Sequence, residues 1–536
     1  MVSFPMTRGG ATFCTRRTVY PPARGSIRCG RAARRAVSRC RGRRRPRRPR
    51  AAAPRGARAL PGPDRAWLRC SDPESPVTSG SWVLLVVRRG GRRPLRTSRT
   101  RHRAGSSSPG PIRAPAHERT GKGHRTTMSA DRHPRPAPVS YGRDHSLMLL
   151  RNGYRFWDTM RRQTGSETVQ TRLLHERVTA IRGASAAQFF YENPDTERSS
   201  ALPVPLVGPL FGKGAVHLLD GSAHLHRKAT FNEVIGPVAV RDVADGVARR
   251  WDERAPAWPR HIDVFDEVGS ILFESVCEWV GIAPEPEETA DRTHDMLAMV
   301  DGFGGPNVRQ LKARRARRRT ETWIQGLVEE SRGSGAPAVS PLDVWARHRD
   351  ESGELLPVHT AAVEVINLIR PLVAVSWLVA GIFEAFDVFP EQREAVLSRS
   401  ASTMNVAQEV RRTYPFVPFL ATRATRDLEW EGATIAQGTL IVLDVWGTNH
   451  DPRIWRDPES FDPERFERRP VTPYNLVPQG GGSAVTGHRC PGEDLTLAVL
   501  VTLVRRVAEL HATVQGPRAT LRRMPPKPTL SVRVRH

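Results

Sequence analysis

One cysteine in this sequence stands in a setting that favours metal chemistry. Cys490 follows a glycine-rich stretch, 479–487, and precedes Pro491 and a predicted helix. Glycine lets the backbone come close to a large planar ligand, and the amino-terminal end of a helix favours an ionised sulfur. His488 and Arg489 add donors suited to acidic groups. A loop that merely caps a helix is the alternative, and the combination of features favours a thiolate ligand.

A second residue that could do chemistry is Arg370. It lies in a stretch, 364–386, predicted as a helix through the protein centre, and an uncharged run, 371–383, follows it. A guanidinium is expensive to bury without an anionic partner. Pro371 would remove a helical hydrogen bond and bend the helix. The alternative to a functional role is that Arg370 pairs with a protein carboxylate and Pro371 marks a helix start.

The elements that must position these residues are mostly helices. Amphipathic periodicity predicts helices over 146–163, 238–251, 261–280, 291–300, 310–332 and 494–510. Short strands are predicted over 427–435, with a turn at Glu431 and Gly432, and over 439–443. The predicted fold class is a mainly α domain with a small β region.

The positive charge of the chain is concentrated at its start. Residues 1–127 hold 32 Lys and Arg against four Asp and Glu, whereas 128–536 hold 51 of each. Arginine-rich runs repel themselves and bury nothing, so we predict a disordered leader over 1–127 and a catalytic domain over 128–536. Because its composition follows G+C-rich codons, the favoured hypothesis is a misassigned start, with Met128 as the true one. A transit peptide is another, and a lack of interleaved aromatics disfavours a nucleic-acid-binding tail.

Cysteine usage predicts an intracellular protein, which we assign to the cytoplasm. After residue 127 only Cys277 and Cys490 occur, too few for a disulfide scaffold. Cys277 lies in an apolar helical stretch and is predicted to be core. The uncharged run 371–383 is too short to cross a bilayer, and we predict no transmembrane segment.

Taken together, these motifs resemble a known family. The loop before Cys490 resembles the haem-binding loop of cytochrome P-450 enzymes, in which a cysteine thiolate is the proximal iron ligand. Glu409-x-x-Arg412 looks like the Glu-x-x-Arg helix motif of the family, and Arg465 lies in a segment similar to the one that joins it. The resemblance implies a cytochrome P-450 fold around a buried haem b, with Cys490 as axial ligand. It also implies a structural ion network of Glu409, Arg412 and Arg465.

Arg370 and Pro371 stand where the generic family has an acid–alcohol pair that relays protons. With the stretches 210–217 and 409–416 and the long glycine loop, they resemble the fatty-acid peroxygenase branch of hydroxylases and alkene-forming decarboxylases. The resemblance implies that Arg370 binds the carboxylate of a long-chain fatty acid. That carboxylate would then move a proton while the O–O bond of hydrogen peroxide breaks, without a redox-partner protein. Pro371 is expected to make room for peroxide and to direct the arginine.

Further site residues follow from the same resemblance. His217 is expected near the distal pocket with Phe211 beside it, the alternative being an ordinary histidine in a turn. Phe416 is expected to line the pocket, with core packing as the alternative. The residues expected to contact the cofactor, in addition to Cys490, are Arg227, Lys228, Gly487, His488 and Arg489.

Two other functions compete with a peroxygenase. A conventional monooxygenase of the same family would need O2 with a ferredoxin and reductase, and Arg370-Pro371 argues against it. A nucleic-acid-binding protein would act through the leader. Within the peroxygenase hypothesis, hydroxylation at the α or β carbon and oxidative decarboxylation both stay open.

Overall fold

The computed structural model describes residues 141–303, 307–527 and 531–534, so the predicted leader lies outside the described residues. The described helices are α1 Ser146–Asn152, α2 Phe156–Thr164, α3 Ala184–Glu192, α4 Val204–Phe211, α5 Gly221–Val234, α6 Pro237–Arg254, α7 Val264–Val280, α8 Pro286–Asp301, α9 Val308–Gly333, α10 Pro341–Ala346, α11 Val358–Val373, α12 Ser376–Val388, α13 Pro390–Leu397, α14 Thr403–Thr413, α15 Val445–Asn449, α16 Arg465–Arg468 and α17 Glu493–Glu509. Short 3-10 turns lie at Gly153–Arg155, Val216–Leu218 and Ala255–Ala257. The described strands are β1 Val169–Leu173, β2 Glu176–Ile181, β3 Thr196–Glu197, β4 His261–Asp263, β5 Phe419–Ala424, β6 Leu428–Trp430, β7 Ala433–Ile435, β8 Leu440–Asp444, β9 Thr513–Gln515 and β10 Ser531–Arg533. The predicted mainly α class with a small β region is confirmed.

Helix α7 shows how local sequence sets the boundaries. The Asp263 side chain accepts from the backbone N–H groups of Phe265 at 2.8 Å and Asp266 at 3.3 Å, which satisfies donors of the first turn. Gly281 ends the helix with a φ of 86°. The helix predicted over 261–280 therefore begins late, because His261–Asp263 pairs as β4 with β10.

The described strands form three small sheets. The largest has the order β1-β2-β8-β5-β3, in which β2 and β8 run parallel and the other pairs are antiparallel. Strands β4, β10 and β9 form a second sheet. Strands β6 and β7 form the predicted hairpin, with Glu431 and Gly432 at φ angles of 46° and 77° in its turn. That prediction is confirmed, whereas β1, β2 and β5 were not predicted.

The stretch 364–386, predicted as one helix, is divided between α11 and α12. Pro371 lies inside α11, and Ala374 and Val375 separate the two helices. The interpretation of Pro371 as a helix start is therefore wrong. Proline has no N–H to bond to the carbonyl four residues earlier, which explains a break near this point. The whole stretch Val358–Val388 is long and apolar enough to cross a membrane, yet 89% of its most apolar window is buried inside the protein.

The main core is built around this pair of helices. Helix α11 packs against α7 and α9, and α12 packs against α7 and α17. Cys277 is fully buried in this core, as predicted, and burial raises the pKa of its thiol. Helix α11 faces the loop that carries Cys490 across a large cavity.

Candidate active site

One cavity collects most of the residues that the sequence singled out. It encloses about 1600 Å³ of space outside protein atoms, part of which is open to solvent. Its walls come mainly from α11, from the end of α4, and from the loop before α17. The predicted site residues that line it are Phe211, His217, Lys228, Arg370, Pro371, Phe416, His488, Arg489 and Cys490.

Cys490 presents its sulfur to this cavity from the end of the glycine loop. Its backbone N–H donates to the Gln479 carbonyl at 3.1 Å, and the Gln479 side-chain Nε2 lies 3.7 Å from Sγ. Burial raises the pKa of the Cys490 thiol, although the Gly492 N–H and Lys228 favour the thiolate. The backbone N–H at the helix start thus favours the ionised sulfur, as predicted, but the effect of burial is larger. A bound cation is the stronger cause of ionisation at such a thiol.

The glycines of the loop are required by its shape. Gly480 and Gly482 have φ angles of 97° and 74°, which residues with a Cβ rarely adopt. A Cβ on Gly480 would lie 2.7 Å from the Tyr191 hydroxyl. Gly487, a predicted cofactor contact, is not among the residues that line the cavity. Its N–H donates to the Ser483 carbonyl at 3.0 Å, so it closes a turn instead.

The predicted cofactor contacts near the sulfur divide into two groups. Lys228 lines the cavity, donates to the Arg489 carbonyl, and has its pKa lowered to about 8 by burial. The Arg489 Nε donates to Glu493 at 2.6 Å. Arg227 is not among the residues that line the cavity, and it forms an ion pair with the buried Glu364 at 3.3 Å. Its contact with the cofactor stays a prediction.

His488 lines the cavity as an uncharged ring. It stacks on His224 with 3.8 Å between ring centroids. Burial lowers the pKa of His488 to about 2, and the positive charge of Arg198 acts in the same direction. At neutral pH His488 can therefore donate one hydrogen bond to an acidic group but brings no charge to it.

Arg370 is a buried cation with almost no protein partner. Its side chain is 4% exposed, its Nη2 donates to Asn367 Oδ1 over a long 3.4 Å, and its Nε has no hydrogen-bond partner. No described carboxylate forms a salt bridge with it, so the alternative of a protein counter-ion is not found. Burial lowers the pKa of Arg370 to about 9, and repulsion from Arg317 adds to this. The guanidinium still keeps its proton at neutral pH.

His217 and Phe211 form one wall beside Arg370. Their rings stack with 4.2 Å between centroids, and the Arg370 guanidinium carbon lies 5.8 Å from the Phe211 ring centroid. The His217 side chain lines the cavity. It is therefore accessible even though it lies deep in the protein. Burial lowers the pKa of His217 to about 3, with a contribution from Arg370. Phe416 lines the cavity and packs edge-on against Trp377.

The predicted ion network lies outside the cavity lining. Arg412 donates from Nε and Nη2 to the two carboxylate oxygens of Glu409, both at 2.8 Å. Arg465 donates to Glu409 at 3.1 Å. The same two arginines donate to carbonyls of residues between 449 and 460, including that of Ser460. The network therefore fastens α14 to the long segment before the glycine loop.

Sequence reasoning missed the polar residues that surround Arg370. Glu364 and Asn367 share its face of α11, because the three residues are spaced three apart. A polar residue every third position in an otherwise apolar helix is the signal that could have found them. Arg411, which lines the cavity and pairs with Glu493 of α17, was also missed.

Comparison with known proteins identifies the family. The family model described as Cytochrome P450 matches residues 401–507, a range that contains both the Glu409 network and the loop to Cys490. The solved structure of cytochrome P450EX alpha (CYP152N1) with myristic acid is 37% identical, with a TM-score of 0.69, and the match covers 73% of this chain and 97% of that one. The chain belongs to the cytochrome P450 family, as the resemblance predicted.

Two further relatives mark out the breadth of that family. Ligand-free cytochrome P450 OleT is 32% identical with a TM-score of 0.70, and the match covers 74% of this chain and 97% of that one. Abscisic acid 8'-hydroxylase 3 of Oryza sativa is 22% identical over 56% of this chain, which spans only 65% of the length of that enzyme.

Membership of the family implies a haem whose iron has an axial cysteine thiolate, and the cavity fits this group. Cys490 is the one described cysteine that lines the cavity, and Pro478, Gln479 and Gly480 of the loop before it line the same cavity. Lys228, His488 and Arg489 border the same space and suit acidic side groups. Cys490 would hold the iron.

Proposed function

We propose that this protein is a peroxygenase that uses hydrogen peroxide to hydroxylate long-chain fatty acids at the α or β carbon, or to decarboxylate them oxidatively. The observation that carries the proposal is the buried Arg370 guanidinium at the cavity, with one long hydrogen bond and no protein counter-ion. A buried cation of this kind needs an anion, and a planar guanidinium binds a carboxylate through two parallel hydrogen bonds.

The rest of the cavity suits the hydrocarbon part of such a substrate. Most of its remaining lining is apolar, including Leu210, Val216, Phe231, Leu368, Leu372, Val375, Leu378 and Leu420. An acid with a long alkyl chain would place its carboxylate on Arg370 and its chain against these side chains. Holding one end of the chain restricts which carbons reach the reacting centre, and therefore favours oxidation close to the carboxylate.

Proton transfer in this site would depend on the substrate. When bound, the haem supplies the oxidising chemistry. By the resemblance to the family, Arg370 and Pro371 take the helix positions at which its generic members carry an acid–alcohol pair. His217 stays uncharged, because burial lowers its pKa to about 3. The carboxylate oxygen held by Arg370 is thus the group placed to take up and return a proton as peroxide reacts.

The proposal needs no electron-donating protein. Hydrogen peroxide brings both the oxygen atom and the oxidising equivalents, so a ferredoxin and a reductase have no role. We place the reaction in the cytoplasm, in keeping with the two unpaired cysteines of the described residues. OleT and P450EX alpha are similar over nearly their whole length, and the second was solved with myristic acid, which supports a fatty acid as substrate.

The test is turnover without a reductase. Haem-loaded protein would be mixed with myristic acid and hydrogen peroxide, and the products analysed by mass spectrometry. We expect a hydroxy acid, an alkene shorter by one carbon, or both. Product that forms only with O2, a ferredoxin, a reductase and NADPH would instead favour the conventional monooxygenase. Tetradecanol as the substrate provides a control of equal chain length without a carboxylate.

A further inference from the structure

The polar face of α11 carries the negative charge of Glu364 and the positive charge of Arg370. A second positive charge, that of Arg227 of α5, lies beside Glu364. Glu364 is fully buried, and its Oε1 accepts from the Val216 N–H at 2.7 Å and from Arg227 at 3.3 Å. Its Oε2 accepts from the Asn367 amide at 3.0 Å. The same amide also donates to the Phe211 carbonyl at 3.1 Å. The charge of Glu364 is therefore matched by Arg227.

Asn367 stands between this ion pair and Arg370. Its amide nitrogen faces Glu364 and its oxygen faces the Arg370 Nη2 at 3.4 Å. Glu364 and Arg370 form no salt bridge with each other, although they lie on one helix face two turns apart at most. An amide can orient a guanidinium through its oxygen without neutralising the charge.

The pair also fixes the wall that carries His217. Glu364 binds the backbone of Val216, and Asn367 binds that of Phe211. Arg227 donates to the Gly214 carbonyl at 2.7 Å within the same segment. The segment 211–217 is thus tied to α11 at the backbone groups of Phe211 and Val216, and its position relative to Arg370 follows from the same two side chains.

We propose that Glu364 and Asn367 act as a specificity-determining pair that keeps the charge of Arg370 available for an acidic substrate. The carboxylate is placed where it neutralises Arg227, and the amide is placed beside Arg370. The reverse order would give Arg370 a counter-ion of its own and remove the preference for acids over neutral chains. The inference rests on the proposed function, because it concerns how the carboxylate of the substrate is selected.

The test moves the carboxylate by one turn without changing net charge. The swap variant Glu364→Gln/Asn367→Asp carries the same groups in reverse order, and the single variant Glu364→Gln is its matched control. Calorimetry on haem-loaded protein would measure Kd for myristic acid and for tetradecanol. We expect the swap to raise the Kd for the acid by roughly 30-fold or more relative to Glu364→Gln, and to change that for the alcohol less than about threefold.

Several results would overturn the inference. One is an unchanged Kd for myristic acid in the swap variant, and another is an equal loss of acid and alcohol, which would indicate a merely structural role. Wild-type protein with no preference for the acid would refute the proposed function and this inference together, before any variant is compared. If the swap variant does not fold, Arg227→Gln tests the same idea. It leaves the charge of Glu364 unmatched, and acid binding alone should weaken roughly fivefold.

Discussion

Two sites with buried arginines differ in how completely their charges are matched. One is the ion network of Glu409, Arg412 and Arg465, and the other is Arg370. Arg412 places two donors on Glu409 and the others on backbone carbonyls, and Arg465 completes the set. Arg370 has one long hydrogen bond to Asn367, and its Nε has no partner. The arginines of both sites are buried, so the difference lies in their partners rather than in the exposed fraction of their side chains.

The difference separates a structural site from a binding site. A buried ion pair with every donor satisfied joins segments of the chain and has no capacity left for a ligand. A buried guanidinium whose donors remain open carries a desolvation cost that an incoming anion relieves. Substitutions in the network of Glu409, Arg412 and Arg465 should therefore reduce stability, and substitutions at Arg370 should reduce substrate binding and turnover.

The largest effect on stability is expected in the ion network of Glu409, Arg412 and Arg465. Glu409→Ala leaves Arg412 and Arg465 without their carboxylate, and we expect the free energy of unfolding to fall by about 3–5 kcal/mol. Urea denaturation followed by circular dichroism would measure it. Glu409→Gln keeps the shape and should fall between wild type and Glu409→Ala. A loss below about 1 kcal/mol in Glu409→Ala would show that the network does not fasten the fold.

Arg370→Ala should have the opposite profile. Removing the substrate anchor should lower peroxide-dependent turnover of myristic acid by roughly 30- to 1000-fold, while unfolding free energy stays equal or rises, because an unmatched buried charge is gone. Turnover and urea denaturation would be measured on the same haem-loaded preparation. Arg370→Lys keeps the charge without the planar fork and should show intermediate turnover. A strong loss of stability in Arg370→Ala would instead indicate that Arg370 has a structural role like that of Arg412 and Arg465.

The smallest effect concerns His217 and appears only in acid. Its pKa is lowered to about 3 in the folded protein, below the value of 6.5 usual for histidine, so between these values the unfolded chain binds the extra proton. Stability contributed at this position is therefore complete above pH 6.5 and is lost as pH falls toward 3. His217→Gln should lose less stability than wild type between pH 7 and pH 4 in thermal unfolding. Parallel pH curves for the two proteins would contradict the uncharged state of His217 in the folded protein.

The sequence alone identified the main residues of this comparison, but not their hydrogen-bond and ion-pair partners. Arg370, Cys490 and the Glu409 motif could be singled out because charge, proline and glycine in particular contexts carry physical meaning. That Arg370 lacks a counter-ion could not be predicted, since it depends on which carboxylates the fold brings near. Arg227 was expected at the cofactor for the same reason, and the structure pairs it with Glu364, which is distant in sequence.

The secondary structure divides along similar lines. Helical periodicity located most of the long helices, and turn residues located the β6–β7 hairpin. Periodicity could not show that 261–263 would pair with a strand near the carboxyl end, because that contact is non-local. The interruption at Ala374 and Val375 was also missed, although Pro371 indicated a bend.

The central claim is that the Arg370 guanidinium is available to bind the carboxylate of a substrate. Its most direct test compares one substrate with and without its negative charge. Haem-loaded wild-type protein would be given hydrogen peroxide with either myristic acid or its methyl ester, and the products of both would be quantified by mass spectrometry. We predict oxidation of the acid near its carboxylate and little or no oxidation of the ester. Equal turnover of acid and ester would contradict the account, because Arg370 would then play no part in selecting the substrate.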